Sequence, residues 1–311
     1  MRRLAYTIEP ADDGRQVQAI LRERLHMGRQ GIRAAKFREN GIMLDDKRVF
    51  TIDRVRAGQV LSIAVGDTDD ALAGSSVVAT PGPLDIVFED DDLIVLNKPA
   101  GVSTHPGPKH VDDTLGNFLM HYFQRTNQRC LLHPVQRLDW GTSGLIVFAK
   151  NAHAQDFLQK RLHTGDFCRQ YLAFCQGGFS EESGTVDAPI GCIGHTWQTA
   201  AVRQGGKPAR THYWVESQSI VDKLPHLLST NSVARVRLQL ETGRTHQIRI
   251  HMSHIGHPLL GDVDHGGSME LIARPALHSA FLQVEHPVTG ELMTFEASLP
   301  NDLAALDALL A

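Results

Sequence analysis

The chain has 311 residues, 42 % hydrophobic and 21 % charged, an ordinary balance for a globular protein with one large domain or a medium and a small one. No apolar run is long enough to span a bilayer, and the start "MRRLAYTIEPADDGRQ" lacks the apolar core of a signal peptide, so a cytoplasmic protein is expected. The net charge of −4 would argue against nucleic acid if it were evenly spread, but residues 1–66 carry 13 Lys/Arg against 8 Asp/Glu, a net of +5.

The basic end comes first. Val17, Ile20, Leu21 and Leu25 recur with helical period, and Gly28 is read as the end of that helix. Ile32 to Arg38 reads as a second short helix closed by Asn40-Gly41, and "IMLDDKRV" as a hairpin around Asp45-Asp46. "VRAGQVLSIAV" closes the unit as a strand. Arg29, Arg33 and Lys36 share one face of the second helix, which is either a solvated face or a contact surface for RNA phosphates.

Residues 67–96 reverse the sign, with 8 acids and no Lys/Arg. Within them "DTDDALAGSSVVATPGPL", 67–84, has the composition of a flexible linker that lets the small unit swing. The large domain then runs over 85–311. "DIVFED", "DLIVLNKP", "LIVFAK", "QYLAFCQG" and "RVRLQL" read as strands, the last with Val236, Leu238 and Leu240 alternating with Arg235, Arg237 and Gln239 as in a sheet with one wet face. One helix is well marked, with Asn151 as N-cap and Phe157, Leu158 and Leu162 as its inner stripe. Residues 220–232 read as a loop insertion. Strands cluster without regular strand–helix alternation, so the expected class is α+β with a mixed, mainly antiparallel sheet.

Several stretches could carry chemistry. "VQRLDWGTSGLIVFAK" sets Asp139 between Arg137 and a turn written Gly141-Thr142-Ser143-Gly144. This is either a salt bridge beside a β-turn or a mounted carboxylate nucleophile, which needs a nearby cation to hold it ionised. "LETGRTHQIRIHMSHIGHPLLGD" offers Arg244, His246, Arg249 and His251 as partners. His251, His254 and His257 suggest a metal site, but no acid lies between them and Gly256 and Pro258 break the helix, so no metal is expected. The four cysteines, Cys130, Cys168, Cys175 and Cys192, form no C-x-x-C pair and read as reduced thiols rather than ligands. In "NKPAGVSTHPGP", Lys98 and His105 are candidates to hold phosphate, although neither a nucleotide cradle nor a dinucleotide fingerprint is present. Tyr171 is either a core residue with a wet hydroxyl or a platform for a base.

Taken in order, these segments resemble the RluA/RluD-type pseudouridine synthases, which isomerise uridines in structured RNA. The match begins near Asp85 and runs through "FEDDDLIVLNKPAGVSTHP", "VQRLDWGTSGLIVFAK", "CRQYLAFCQG", "LETGRTHQIRIHMSHIGHPLLGD" and "RPALHSAFLQVEHPVTGE". The N-terminal unit is similar to the small S-four-type RNA-binding domain, which favours large-subunit ribosomal RNA over transfer RNA. The resemblance implies Asp139 as nucleophile or base and Arg249 as its fixed cation. It implies Tyr171 as a stacking residue and late base, Arg137 as the group that fills the gap left by the flipped uridine, and Leu138, Ile248 and Leu277 as an apolar wall. Product and substrate are isomers, so no cofactor is expected. One departure is Gln136, where the family usually has histidine. A monomer is expected, and the rival reading is an RNA-binding assembly factor of the same fold without catalysis.

Overall fold

The computed structural model describes residues 2–162, 164–192, 200–220 and 232–310. The N-terminal unit comprises β1 (Arg3–Thr7), α1 (Val17–Glu23), α2 (Arg29–Lys36), β2 (Ile42–Leu44), β3 (Lys47–Arg48) and β4 (Val60–Ala64), with the strands in the order β1-β4-β2-β3. Val17, Ile20 and Leu21 from α1 and Ile32 and Ala35 from α2 meet Leu4, Ile42, Leu61 and Ile63 of the sheet in one buried cluster. The hairpin at Asp45-Asp46 has φ of 47° and 60°, the left-handed pair that matches strand twist in a two-residue turn. Gly28 does not end α1, which stops at Glu23; it is the extended N-cap of α2.

Composition suggests a loose linker over 67–84, and here the structure differs. Thr68 caps a short helix, α3 (Asp69–Ala73), by accepting from the Ala71 N–H. Asp67 accepts from the Leu131 N–H at 2.7 Å and meets His133 Nε2 at 3.1 Å. Asn117 donates to the Val78 carbonyl at 2.8 Å, and its own carbonyl accepts from the Thr80 N–H. Val77, Ala79 and Leu84 pack on the large core. Polar composition conceals a strap whose backbone groups find partners on the large domain. The small unit is also docked directly: Arg2 makes a forked contact with Asp92, at 2.6 and 3.2 Å, and His26 lies edge-on to Phe157.

The remaining elements are β5 (Ile86–Glu89), β6 (Leu93–Lys98), α4 (Leu115–Arg125), β7 (His133–Pro134), β8 (Ser143–Ala149), α5 (Ala152–Arg161), β9 (Phe167–Gln176), β10 (Ser183–Asp187), β11 (Ile190–Cys192), β12 (Ala200–Val202), β13 (Arg210–Ile220), β14 (Ser232–Leu240), α6 (Gln247–His254), β15 (Leu277–Glu285), β16 (Leu292–Glu296) and α7 (Asn301–Asp307). One large sheet runs β10-β13-β14-β9-β15-β8-β6-β5, with β16 beside β15 and β7 beside β8. Its described pairings are antiparallel except β15 with β8. The α+β class and mainly antiparallel sheet expected from the sequence are therefore observed. The expected insertion at 220–232 falls almost wholly outside the described residues.

β6 and β8 are neighbouring interior strands, and their unbroken apolar runs follow from burial on both faces. Ile94, Leu96, Ile146 and Phe148 point to one core with Leu119 and Phe123 of α4 and Ile248 and Met252 of α6. Leu93, Val95, Leu145 and Val147 point to the other with Phe157 and Leu158 of α5, whose N-cap Asn151 accepts from the Ala154 N–H as expected.

Where β8 meets β15 the backbones come unusually close. Gly144 has φ of 108°, and a Cβ there would lie 2.3 Å from the Ser279 carbonyl oxygen. Ser143 Oγ bonds His278 Nδ1 at 2.9 Å, and Ser279 Oγ donates to the Leu145 carbonyl at 3.0 Å. Ser143 and Gly144 are thus strand residues, not part of the turn read from the sequence.

Candidate active site

Just before that junction the chain turns at Asp139, whose carbonyl accepts from the Thr142 N–H. The turn is held from three sides. Thr104 Oγ1 donates to the Leu138 carbonyl at 2.8 Å, the Gly101 N–H to the Trp140 carbonyl at 2.8 Å, and Arg274 to the Gly141 carbonyl at 3.0 Å. Lys98 lies beneath, fully buried, with its ammonium on the carbonyls of Pro99 and Val102 at 2.8 and 2.7 Å and more distantly Trp140. The expectation that Lys98 holds phosphate is therefore corrected: it has no solvent face and braces the loop behind Asp139. Burial pulls its pKa down to about 7, with the Asp139 charge acting the other way.

The residues singled out in the catalytic domain converge. Arg137, Leu138, Asp139, Tyr171, Ile248, Arg249 and Leu277 line one cavity of about 470 Å³. Leu138, Ile248 and Leu277 are buried in its wall, while the Arg137 side chain is exposed at its rim. Asp139 and Arg249 also line a second, adjoining cavity of about 700 Å³, rimmed by Lys109, Arg137 and Arg274. Arg29, Arg33 and Lys36 are elsewhere, exposed together on α2 of the small unit.

Arg249 Nη1 stands 3.8 Å from Asp139 Oδ2. Its tighter partner is Asp262, to which it donates at 2.7 and 2.6 Å, with Asp264 at 3.0 Å. Burial opposes the guanidinium charge, but hydrogen-bonded Asp262, then Asp139 and Asp264, more than offset it and raise its pKa. Asp139 thus faces a cation that is permanently charged and fixed in direction by another carboxylate. Burial pushes the Tyr171 phenol up, Arg169 acting against the shift and Asp139 with it. His246, left-handed at φ 54° where α6 begins, lines both cavities, and burial holds its imidazole below the usual value.

The other histidines of that segment diverge. His251 bonds Thr211 Oγ1 and the Ala188 carbonyl, each at 2.9 Å, His254 is exposed, and His257 stacks on Phe179 at 3.8 Å. Among the described residues the one grouping of donor spacing suited to an ion is Asp90, Asp92 and His286; Arg2 already pairs with Asp92, and His286 with Asp90.

Residues 92–254 match the family described as RNA pseudouridylate synthase. The chain belongs to that family. A Bacillus subtilis relative, the uncharacterized RNA pseudouridine synthase YhcT, is 40 % identical over 75 % of this chain and 74 % of its own length. The ribosomal large subunit pseudouridine synthase D of Vibrio parahaemolyticus is 41 % identical over 73 % of this chain and 71 % of its own. Among solved structures, human RNA Pseudouridylate Synthase Domain Containing 1 matches with a TM-score of 0.57 and 27 % identity, covering 74 % of this chain and 90 % of that one. The protein is an RNA-acting isomerase that converts uridine to pseudouridine, as the resemblance implied.

Reading the sequence missed Asp262, the clamp of Thr104, Lys98 and Arg274 on the Asp139 turn, and Arg169. Asp262 closes the quoted "GHPLLGD" and is the first acid after Arg249, a signal that was available. The clamp had none, because it joins side chains to carbonyls 34 to 133 residues away.

Proposed function

We propose that the protein isomerises uridines of large-subunit ribosomal RNA, working as a cytoplasmic monomer with Asp139 as the group that opens the glycosidic bond. The observation that carries the assignment is Asp139 on a clamped turn, 3.8 Å from a buried arginine and in one cavity with Tyr171. The target nucleotide leaves its stack to reach this depth, and Arg137 at the rim supplies a planar guanidinium to fill the gap.

Two routes fit. Asp139 attacks C1′ and displaces uracil, or it removes the C2′ proton so that a C1′–C2′ double bond forms as uracil departs. Either way the pair of the C1′–N1 bond leaves with the base. Uracil then turns within the cavity and its C5 bonds to C1′, as the Asp139–C1′ bond breaks in the first route or as Asp139 returns its proton to C2′ in the second. The C5 proton is lost to a base, the role assigned to Tyr171, and N1 takes up a proton. Asp139 is thereby regenerated, and the product is an isomer of the substrate. Leu138, Ile248 and Leu277 keep water from the detached sugar. Every side chain invoked comes from one chain.

Ribosomal RNA is favoured by the similarity to large-subunit synthases and by the basic face of Arg29, Arg33 and Lys36 on a unit read as S-four-type. The test is pseudouridine mapping by carbodiimide-stop sequencing, on total RNA from a deletion strain restored with wild type or with Asp139→Asn. Sites in large-subunit RNA restored by wild type alone are expected. Restoration by both would remove Asp139 from the mechanism, and sites confined to transfer RNA would overturn the substrate.

A further inference from the structure

Arg169 is a buried cation whose guanidinium stands over the ring of Phe167, 5.7 Å from its centroid. It is 5 % exposed, and among the described residues no Asp or Glu pairs with it. Among the described residues its one hydrogen bond is a long one, 3.3 Å, to the Leu162 carbonyl, and its Nε has no partner there. A buried charge left without a counter-ion is costly, so a purely structural chain would gain by replacing it.

Its location supplies the reason. Arg169 and Tyr171 are two apart on β9 and share its buried face, about 7 Å along the strand. Both line the cavity that Asp139 and Arg249 line, and Arg169 Nη1 lies against Gly243 in the loop that leads to α6. Gln136 lines the same cavity, 7 % exposed, with neither amide atom partnered among the described residues. This cavity has the apolar walls, Leu138, Leu240, Ile248 and Leu277, that suit a base, whereas the adjoining one is rimmed by Lys109, Arg137 and Arg274 and suits the sugar-phosphate strand.

We infer that Arg169 is a catalytic residue that stabilises the departing uracil anion, with Gln136 as a neutral partner at the base. This rests on the function proposed above. In both routes the C1′–N1 bond breaks heterolytically, its electron pair delocalises over N1, O2 and O4, and C1′ gains either a bond to Asp139 or a double bond to C2′. The base therefore carries a full negative charge only between detachment and reattachment, and among the described residues no carboxylate is tied to Arg169 to cancel its field. A preorganised cation in a site shielded from water acts most strongly on charge that develops there. Arg249 serves the other end, held to Asp139 and Asp262.

The test varies the leaving group. Wild type, Arg169→Met and Arg169→Lys are compared under single-turnover conditions, enzyme in excess. The RNAs are transcripts of large-subunit ribosomal RNA and of transfer RNAs, made with uridine or 5-fluorouridine, and loss of the N-linked nucleoside is followed after digestion. With uridine, R169M should lose about 100- to 1,000-fold in rate, and R169K should keep most of it. With 5-fluorouridine, whose fluorine itself stabilises the anion, the R169M loss should shrink. Equal losses with both bases, or none, would overturn the assignment, since a packing defect does not depend on leaving-group acidity. A second readout needs no RNA: ¹⁹F NMR titration of free 5-fluorouracil, which should bind wild type more tightly as pH rises through the ionisation of the base. R169M should bind it without that rise. A pH-independent affinity in wild type, or no binding, overturns the role of Arg169. Failure of wild type to convert either transcript overturns the proposed function instead.

Discussion

Arg249 reaches Asp139 at 3.8 Å but is aimed by Asp262, which accepts two of its hydrogen bonds at 2.7 and 2.6 Å. The proposed nucleophile is therefore only as well placed as a carboxylate it never touches. Asp262→Asn should lower turnover by roughly 100-fold, the scale of a 1 Å misplacement, with KM little changed. The same substitution breaks a buried pair and should destabilise the fold by about 3–5 kcal/mol. Kinetics on a mapped RNA and a denaturation curve on the same preparation separate the two. Unchanged turnover would mean that Arg249 finds its own direction.

The strand junction makes a second demand. At Gly144, φ of 108° and a prospective Cβ 2.3 Å from the Ser279 oxygen leave no room for any side chain. Gly144→Ala must push β8 from β15 and carry the Asp139 turn with it. A loss of at least about 1–3 kcal/mol is expected, read as a lower denaturant midpoint with the slope unchanged. A midpoint equal to wild type would show that the two strands can part without penalty.

Local pattern was enough for much of this. The runs at Leu93–Leu96 and Leu145–Ala149 announce strands buried on both faces because both faces are apolar, and the order of motifs carries the family. Asp139, Tyr171 and Arg249 were legible because each sits in a short distinctive string. What was not legible is long-range pairing. Lys98 looks like a phosphate ligand until the carbonyls of Val102 and Trp140 are seen around it. Ser143-Gly144 looks like a turn until β15 arrives from more than a hundred residues away. Gly28 has the residue type of a helix end, yet its chain neighbours place it at a helix start.

The strap over 67–84 has no Lys or Arg, so trypsin cannot report on it. Thermolysin can, at Leu72, Val77 or Val78. Native protein should resist there, because Asp67, Thr80 and the Val78 carbonyl are tied to Leu131, His133 and Asn117. Asp67→Asn with Asn117→Ala should expose the cut while leaving the large domain intact. Rapid cleavage of wild type within 67–84 would restore the picture of a swinging small unit.

Acid should loosen the small unit through Asp12, which is fully buried and accepts from Tyr6 at 2.6 Å, Arg15 at 2.8 Å and Arg24 at 2.9 Å. The Arg24 bond, then Tyr6, hold its pKa at about 2 against an ordinary 3.8. Between those values the unfolded chain takes up a proton that the folded one refuses, so stability rises with pH across that window. The Asp12 contribution is complete above 3.8 and is lost as pH falls toward 2. Hydrogen exchange of amides in 1–66 should accelerate over that window in wild type, beyond the intrinsic pH dependence. Asp12→Asn should already exchange fast above it and show no further loss attributable to this group. Parallel curves for the two proteins would mean that another carboxylate governs the acid response of the unit.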